Sequence, residues 1–249
     1  VSPADYAAVI APALYNSNTQ VMRTVVRADD SYIQGSDYSR APLKQYFSTY
    51  LKAMQSRFSF FIPEDEGLNT YGYVDPASMA NSKNVSNFRY YRFRPGDTRG
   101  LSGALAVDAW PVTYKPATGQ HPDDKILNGT TFASPANQAL NSALGSVKRA
   151  LLIEMVNHHI IVHGSDDTKG VESDQKYFLS RDGAPVIVKT SNRGVGMEVN
   201  GGFQEEVAGT PAAYTSRVKE VYDLTRETNK GYGNGKTYIL DRPMQATTV

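Results

Sequence analysis

Three histidines in the run NHHIIVHG are candidate ligands for a metal ion. His159 and His163 stand four positions apart, which is the spacing at which two imidazoles on one face of a helix bind zinc. The intervening Ile-Ile-Val instead indicates a strand, and no Glu stands between the two histidines as it does in zinc proteases. We therefore interpret His159 as a partly buried structural histidine that makes backbone hydrogen bonds, and we predict no metal site.

A glycine-rich run, GYGNGKTYILDRPM at residues 231–244, raises the question of phosphate binding. A phosphate-binding loop needs two glycines with four residues between them, then a Lys followed by Ser or Thr, in a turn that leads from a strand into a helix. Gly231 and Gly235 have only three residues between them, and the alternating TYILD that follows is typical of a strand. We predict a hairpin turn at Asn234-Gly235, a solvent-facing Lys236, and no nucleotide or other cofactor.

Nucleophiles and paired carboxylates give little support for catalysis. No Gly-x-Ser-x-Gly motif is present, so no serine is marked as a nucleophile. Asp166 and Asp167 lack the alternating ligands of a calcium loop and indicate a polar turn. The adjacent pairs Asp123-Asp124 and Glu205-Glu206 contain carboxylates of the kind used by glycosidases. Adjacency in the sequence does not predict the distance between carboxyl groups that glycosidase chemistry requires. A hydrolase acting on polysaccharide therefore stays open as an alternative.

The segment NFRYYRFRPGDTRG alternates arginines with aromatic residues. Arginine forks and aromatic faces can stack on sugars or clamp anions, which makes a binding surface of Tyr90, Tyr91, Arg92 and Arg94 one interpretation. On a strand, however, Tyr91 and Phe93 would face the core while the two arginines face solvent, and no ligand is needed. Both interpretations stay open.

Composition limits the classes of partner. The chain has 249 residues, 26 basic and 25 acidic, for a formal net charge of +1. This balance gives no global field for nucleic acid, and we predict no nucleic-acid partner. The absence of cysteine excludes disulfides and thiolate chemistry. The longest apolar runs fall short of the roughly 20 residues that span a bilayer, so no transmembrane segment is expected.

Periodicity predicts helices followed by strands. Helical spacing occurs over Ala4–Ile10, Thr19–Ala28, Leu43–Gln55, the run SPANQALNSALGSVKRALLIEMVNHH and Val218–Arg226. Glu64, Asp65 and Glu66 indicate the first turn of a short helix. Strands are predicted at Phe58–Ile62, NFRYYRFR, ALAVDAWPVTY, HIIVHG, KYFLSR, PVIVKT, VGMEVNG, FQEEVAG and KTYILD. This order, without βαβ alternation, predicts an α+β fold with an antiparallel strand array.

Taken in order, several of these segments resemble the fasciclin-type domain. The resemblance rests on FSFFIPEDEGL, ALLIEMVNHHIIVHG, YFLSRDGAPVIVKT with the later VNGGF, and NGKTYILDRPM. Through it, Pro63, His159, Asn234, Gly235 and Asp241 are family-motif residues with structural roles. The sequence departs from the pattern at Glu64, where Thr is expected, at Gly67, where Ala is expected, and at Asn157-His158, where a Tyr is expected.

The resemblance implies a single domain with a wedge-shaped antiparallel β-sandwich and packed helices. Its core would cover about residues 17–244, with insertions at about 69–130 and 210–231, a short N-terminal arm and a C-terminal tail. It implies a non-enzymatic adhesion or binding module outside the cytoplasm, of the exported lipoprotein type, with a protein or glycan partner at the cell surface. A signal or lipid anchor would lie upstream. Besides the hydrolase, a scaffold subunit of an envelope complex is the alternative, and oligomeric state is left open.

Overall fold

The computed structural model describes residues 11–14, 16–26, 57–75, 89–95, 107–113, 149–164, 167, 169–189, 194–201, 215–223 and 235–245. The helices are α1 Ala11–Leu14, α2 Gln20–Val26, α3 Asp65–Thr70 and α4 Arg149–His158, with a 3-10 helix at Gly170–Glu172. The strands are β1 Arg57–Pro63, β2 Tyr73–Val74, β3 Arg89–Pro95, β4 Val107–Thr113, β5 Ile160–His163, β6 Tyr177–Leu179, β7 Pro185–Val188, β8 Glu198–Asn200, β9 Ser216–Asp223 and β10 Gly235–Leu240.

The described strands form two sheets. One has seven strands in the order β5-β1-β10-β9-β8-β7-β6, and the other has three in the order β2-β3-β4. The N–H of Arg181, just after β6, donates to the carbonyl of Ile160 in β5 at 2.8 Å, so the two edges of the larger sheet approach each other. The predicted α+β class is confirmed, because the described residues form both helices and sheets, which do not alternate as βαβ units.

One strand pair differs from the predicted antiparallel array. β1 and β10 are neighbours and run parallel, with Phe58 opposite Gly235 and Pro63 opposite Leu240. Parallel neighbours need a long connection between them, and most of the chain separates these two strands. The larger sheet is therefore mixed.

Most predicted elements within the described residues are confirmed. α2 lies in the predicted Thr19–Ala28 helix, β1 covers the predicted Phe58–Ile62 strand, and α3 begins at the acidic triplet. The predicted helices Ala4–Ile10 and Leu43–Gln55 and the FQEEVAG strand lie outside the described residues. So do the pairs Asp123-Asp124 and Glu205-Glu206.

The predicted helix at Val218–Arg226 is wrong, because residues 216–223 form the strand β9. Opposite β10 the register shifts: Ile239 faces Glu220 but Leu240 faces Val218, which leaves Lys219 as an extra, bulged residue. The bulge brings Val218 and Val221, three positions apart, to the same apolar cluster. Apolar residues three positions apart on one face have the spacing expected of a helix, which is why a helix was predicted at Val218–Arg226.

Apolar side chains pack on both faces of β1, β5 and β10, and on the inner face of the rest of the seven-stranded sheet. On one face Phe61, Val188 and Tyr238 contribute to a cluster that the sheet curves around. On the other face Phe60 and Ile239 join a second cluster, which also contains residues of α1, α2 and α4 and of the smaller sheet. Alternation along each strand divides the side chains between the two faces. The range predicted as an insertion at 69–130 therefore contributes buried residues.

Asp65 joins two helices that are far apart in sequence. Its carboxylate accepts hydrogen bonds from the N–H groups of Gln20 at 3.1 Å and Val21 at 2.8 Å, which belong to the first turn of α2, where the helix itself supplies no carbonyl acceptor. Glu64 precedes α3 without a side-chain cap and instead lies 2.8 Å from the ammonium of Lys219. Burial is the main reason that the pKa of Asp65 is raised to about 6.

Candidate functional site

A groove lies on the face of β8 and β9 that turns away from the core. Val199 and Val218 point inward, so Glu198 and Arg217, which are neighbours across the two strands, point outward. The first part of the groove has a volume of about 420 Å³. It is lined by Lys189, Glu198, Thr215, Arg217, Asp241 and Arg242.

A second depression of about 190 Å³ continues the first. It adds Lys176, Ile187, Val199 and Asn200, and it shares Lys189, Glu198 and Thr215 with the first part. The shared lining makes the two depressions one continuous surface, which we call the β8–β9 groove. Basic, acidic, hydroxyl and amide side chains thus meet on one side of the sheet.

Glu198 is fixed between two cations in the β8–β9 groove. Its Oε2 lies 2.8 Å from Nζ of Lys189, and its Oε1 lies 3.1 Å from a guanidinium nitrogen of Arg217. The hydrogen bond from Lys189 is the largest influence that lowers the pKa of Glu198, and the charge of Arg217 acts in the same direction. The carboxyl group is therefore ionised at neutral pH, which is the wrong state for a general acid.

Asp241 and Arg242 close the end of the groove. Asp241 accepts a hydrogen bond from the backbone N–H of Arg217 at 2.9 Å, and its second oxygen lies 3.3 Å from Arg242. The Arg242 guanidinium lies 4.1 Å from the centre of the Tyr71 ring, in a cation–π contact. A Cβ on Gly67 would lie 2.1 Å from the carbonyl oxygen of Asp241, so α3 packs directly on this backbone.

The two cations that contact Glu198 are exposed and have further donors to offer. The Lys189 side chain is 62% exposed and that of Arg217 is 66% exposed, although both contact Glu198. An ammonium has three N–H donors and a guanidinium has five, so one contact to a carboxylate leaves donors for a ligand. The groove is suited to binding hydroxyl and anionic groups.

A second polar cluster lies beneath the 3-10 helix. The hydroxyl of Ser59 on β1 lies 2.8 Å from Nε2 of His163 on β5. Nδ1 of His163 lies 3.7 Å from a carboxylate oxygen of Asp167. The order of these three groups is that of the serine hydrolase triad, in which His takes the proton from the nucleophilic Ser. Ser59 was not predicted as a site residue, because no nucleophile motif surrounds it.

The position of the 3-10 helix keeps substrate away from this cluster. Ser59 is 1% exposed and His163 is 8% exposed. A Cβ on Gly170 would lie 3.3 Å from the Ser59 hydroxyl and 3.1 Å from Nε2 of His163, so backbone occupies the space that an acyl group would need. Burial is also the main cause that lowers the pKa of His163, while Asp167 raises it and Lys236 lowers it.

Glu172 fastens the 3-10 helix to β10. Its Oε2 lies 2.7 Å from the ammonium of Lys236 and accepts a hydrogen bond from the Tyr238 hydroxyl at 2.8 Å. Asp223 on β9 lies 3.5 Å from the same ammonium. The prediction of a solvent-facing Lys236 is therefore wrong, because the side chain lies on the inner face of the sheet beneath this helix.

The predicted role of Gly235 in a hairpin turn is also wrong. Gly235 is buried in the first position of β10, its φ lies outside the left-handed region, and Asn234 lies outside the described residues. A Cβ on Gly235 would lie 2.2 Å from the Phe58 ring. The glycine is needed for this close approach and not for a hairpin turn.

The aromatic and arginine segment is partly buried. Tyr91 and Phe93 lie in the core, as the strand interpretation predicted, but Arg92 is only 6% exposed and does not face solvent. Nε of Arg92 donates to the carbonyl of Asn69, and burial lowers the pKa of Arg92 to about 10. Tyr90 and Arg94 occupy positions in β3, opposite Val112 and Asp108, but their side chains are outside the described part.

His159 has backbone partners on both ring nitrogens. Nδ1 lies 2.6 Å from the carbonyl of Met155, and the N–H of Met244 donates to Nε2 at 3.0 Å, which assigns the proton to Nδ1. Burial is the main reason that the pKa of His159 is lowered to about 3. His159 lies in the turn before β5, so it does not share a strand face with His163. Within the described residues, no group of three or more His, Asp or Glu is placed to hold a metal ion.

The lining of the β8–β9 groove was not predicted from the sequence. Lys189, Glu198 and Arg217 lie on three different strand ends, and nothing in their spacing connects them before the sheet is assembled. The one local signal was the alternation in SRVKEV, which a helical interpretation of residues 218–226 concealed. Asp241 was noted only as a motif residue.

Comparison of the chain with protein-family models, with curated proteins and with solved structures finds no match. Among the described helices, none combines the length and apolar character needed to cross a membrane.

Proposed function

We propose that this protein is a non-enzymatic binding module that recognises a glycan at the cell surface through the β8–β9 groove. The observation that carries the proposal is the groove itself, in which exposed Lys189 and Arg217 flank a fixed Glu198. Donors and acceptors held in place on a rigid sheet favour recognition of a polyhydroxylated ligand. The proposed location is outside the cytoplasm.

The chemical state of the groove supports binding over hydrolysis. A glycosidase needs one carboxyl group with a raised pKa as its general acid. The pKa of Glu198 is lowered by Lys189, and Asp241 is engaged by Arg217 and Arg242. The buried Ser59 and His163 do not favour a hydrolase either, because Gly170 occupies the space above them.

The fasciclin-like resemblance is part of the proposal. The motif segments RFSFFIP and GKTYILD form the adjacent strands β1 and β10, and the segment containing His159 leads into β5 on the other side of β1. Three segments that carry the resemblance are thus neighbours at one end of the larger sheet. This arrangement supports a single domain with the wedge-shaped sandwich expected of that family, used for adhesion.

The test is binding of the purified protein to an array of cell-surface glycans. We expect retention of one glycan class by the wild type and its loss in Lys189→Gln/Arg217→Gln, with Lys169→Gln as a matched control. Lys169 is an exposed lysine away from the groove. Thermal unfolding of each variant checks that the fold is kept. Capture of a protein partner without any glycan, or glycan binding that survives the double substitution, would overturn the proposal.

A further inference from the structure

The charges that line the β8–β9 groove are unequal in number. Its cations are Lys176, Lys189, Arg217 and Arg242, and its carboxylates are Glu198 and Asp241. The formal net charge of the lining is therefore +2, although the whole chain carries only +1. A local excess of this size attracts anions over about one Debye length, roughly 8–10 Å at physiological salt.

The carboxylates of the groove have partners on both of their oxygens. Glu198 uses Oε1 and Oε2 for Arg217 and Lys189, and Asp241 uses Oδ1 and Oδ2 for the Arg217 N–H and for Arg242. One acceptor site on each of these four oxygens is thus already used within the protein, so fewer remain for the hydroxyls of a neutral sugar. Donors on Lys189 and Arg217 remain directed toward solvent, so the groove offers mainly positive donors.

The spacing of the cations suits a ligand with repeated charges. Lys189 follows β7, its N–H donates to the carbonyl of Glu198 on β8, and Glu198 lies opposite Arg217 on β9. Two strand spacings of about 4.8 Å place the Lys189 and Arg217 backbones roughly 10 Å apart. No aromatic ring is among the residues that line the described groove, so a sugar ring has no platform on which to stack there.

We propose that the ligand of the β8–β9 groove is an acidic polysaccharide, in which carboxylate or sulfate groups pair with Lys189 and Arg217. This inference rests on the proposed function and specifies its ligand class. Arg217 can bind a carboxylate or sulfate through two parallel hydrogen bonds, which an ammonium cannot do. Uncharged parts of the polysaccharide would contact Thr215 and Asn200.

The experiment measures binding of the full chain to three polymers: polygalacturonate, dextran sulfate and neutral dextran. We expect binding to one or both anionic polymers and none to dextran, with an affinity that falls as salt is raised. Lys189→Gln/Arg217→Gln should weaken the apparent Kd by about tenfold or more. Arg217→Lys keeps the charge and should retain only part of the affinity, while Lys169→Gln should change nothing.

The outcomes separate this inference from the proposed function. Binding to neutral dextran through the same groove residues would overturn the acidic ligand and leave the binding module in place. An equal loss in Lys169→Gln and the double variant would show attraction by surface charge in general and overturn the groove as the site. Failure to bind any glycan would overturn both. Preference for polygalacturonate or for dextran sulfate would show whether the groove pairs with carboxylate or with sulfate groups.

Discussion

The hydroxyl of Ser59 lies 2.8 Å from Nε2 of His163, and the backbone of Gly170 occupies the space above both. A serine and histidine at this distance are often read as a nucleophile and its base. Here the pair connects β1 to β5 beneath the 3-10 helix. Because Gly170 leaves no room for a substrate at the hydroxyl, the hydrogen bond is a structural contact.

Ser59→Ala is expected to destabilise the protein by about 1–3 kcal/mol, because it leaves a buried ring nitrogen of His163 without its hydrogen bond. Urea unfolding measures the loss. The wild-type protein should also fail to react with a fluorophosphonate at Ser59, as checked by peptide mass spectrometry. Specific labelling of Ser59 in the folded state would contradict the closed geometry and the non-enzymatic proposal with it.

Gly235→Ala is expected to destabilise the protein by about 1–3 kcal/mol through overpacking, since the new methyl group would meet the Phe58 ring at 2.2 Å. The midpoint of thermal unfolding measures this effect. Gly164→Ala is the matched control, because nothing lies within 4 Å of a Cβ at that position. Adding Phe58→Leu to Gly235→Ala should cost less than the sum of the two single changes. Additive losses would show that the ring is not the obstacle.

His159 is expected to stay neutral in the folded protein at pH 5. Its pKa is lowered to about 3 by burial, so the unfolded chain binds one more proton between about pH 3 and 6.5. Its contribution to stability is full above pH 6.5 and is lost as pH falls, at up to about 1.4 kcal/mol per pH unit. The chemical shifts of the ring protons, followed from pH 7 to pH 4, are the measurement. Titration near pH 6.5 in the folded state would refute the assignment.

Asp65→Asn is expected to make the stability of the protein rise more steeply with pH between about pH 4 and 6. The pKa of Asp65 is raised to about 6 by burial, so in this window the folded wild type holds a proton that the unfolded chain has released. Its contribution is present below the unfolded pKa and is lost as pH rises. Removing the group should increase the slope by up to about 1.4 kcal/mol per pH unit, an upper limit for a partly exposed carboxyl. Urea unfolding at several pH values compares the two slopes, and parallel curves would contradict the raised pKa.

The strands with strong apolar runs were predictable from local sequence. FSFFI is a short apolar run that ends at Pro63, and TYIL alternates up to Asp241; they appear in β1 and β10. Their parallel pairing was not predictable, since register and neighbours depend on contacts between distant segments. The bulge at Lys219 shows the same limit on a smaller scale, because only the partner strand reveals which residue is extra.

The candidate site was less predictable than the fold. The strand interpretation placed Arg92 on the solvent face by alternation with Tyr91 and Phe93, but the carbonyl of Asn69 supplies an acceptor that stabilises Arg92 inside. The groove depends on Lys189, Glu198 and Arg217, which are ordinary surface residues in the sequence. Their arrangement arises only when β7, β8 and β9 pair, and the alternation in SRVKEV was the one local pattern that pointed to an outward-facing Arg217.

The parallel pairing of β1 with β10 has a consequence for synthesis on the ribosome. Phe58 emerges long before Gly235, so the growing chain presents the apolar strand FSFFI without the neighbour that it needs on one side. An unpaired strand of this composition is prone to associate with other chains, and pairing between distant segments slows folding. The protein should therefore depend on chaperones that hold the nascent chain until β10 has been made.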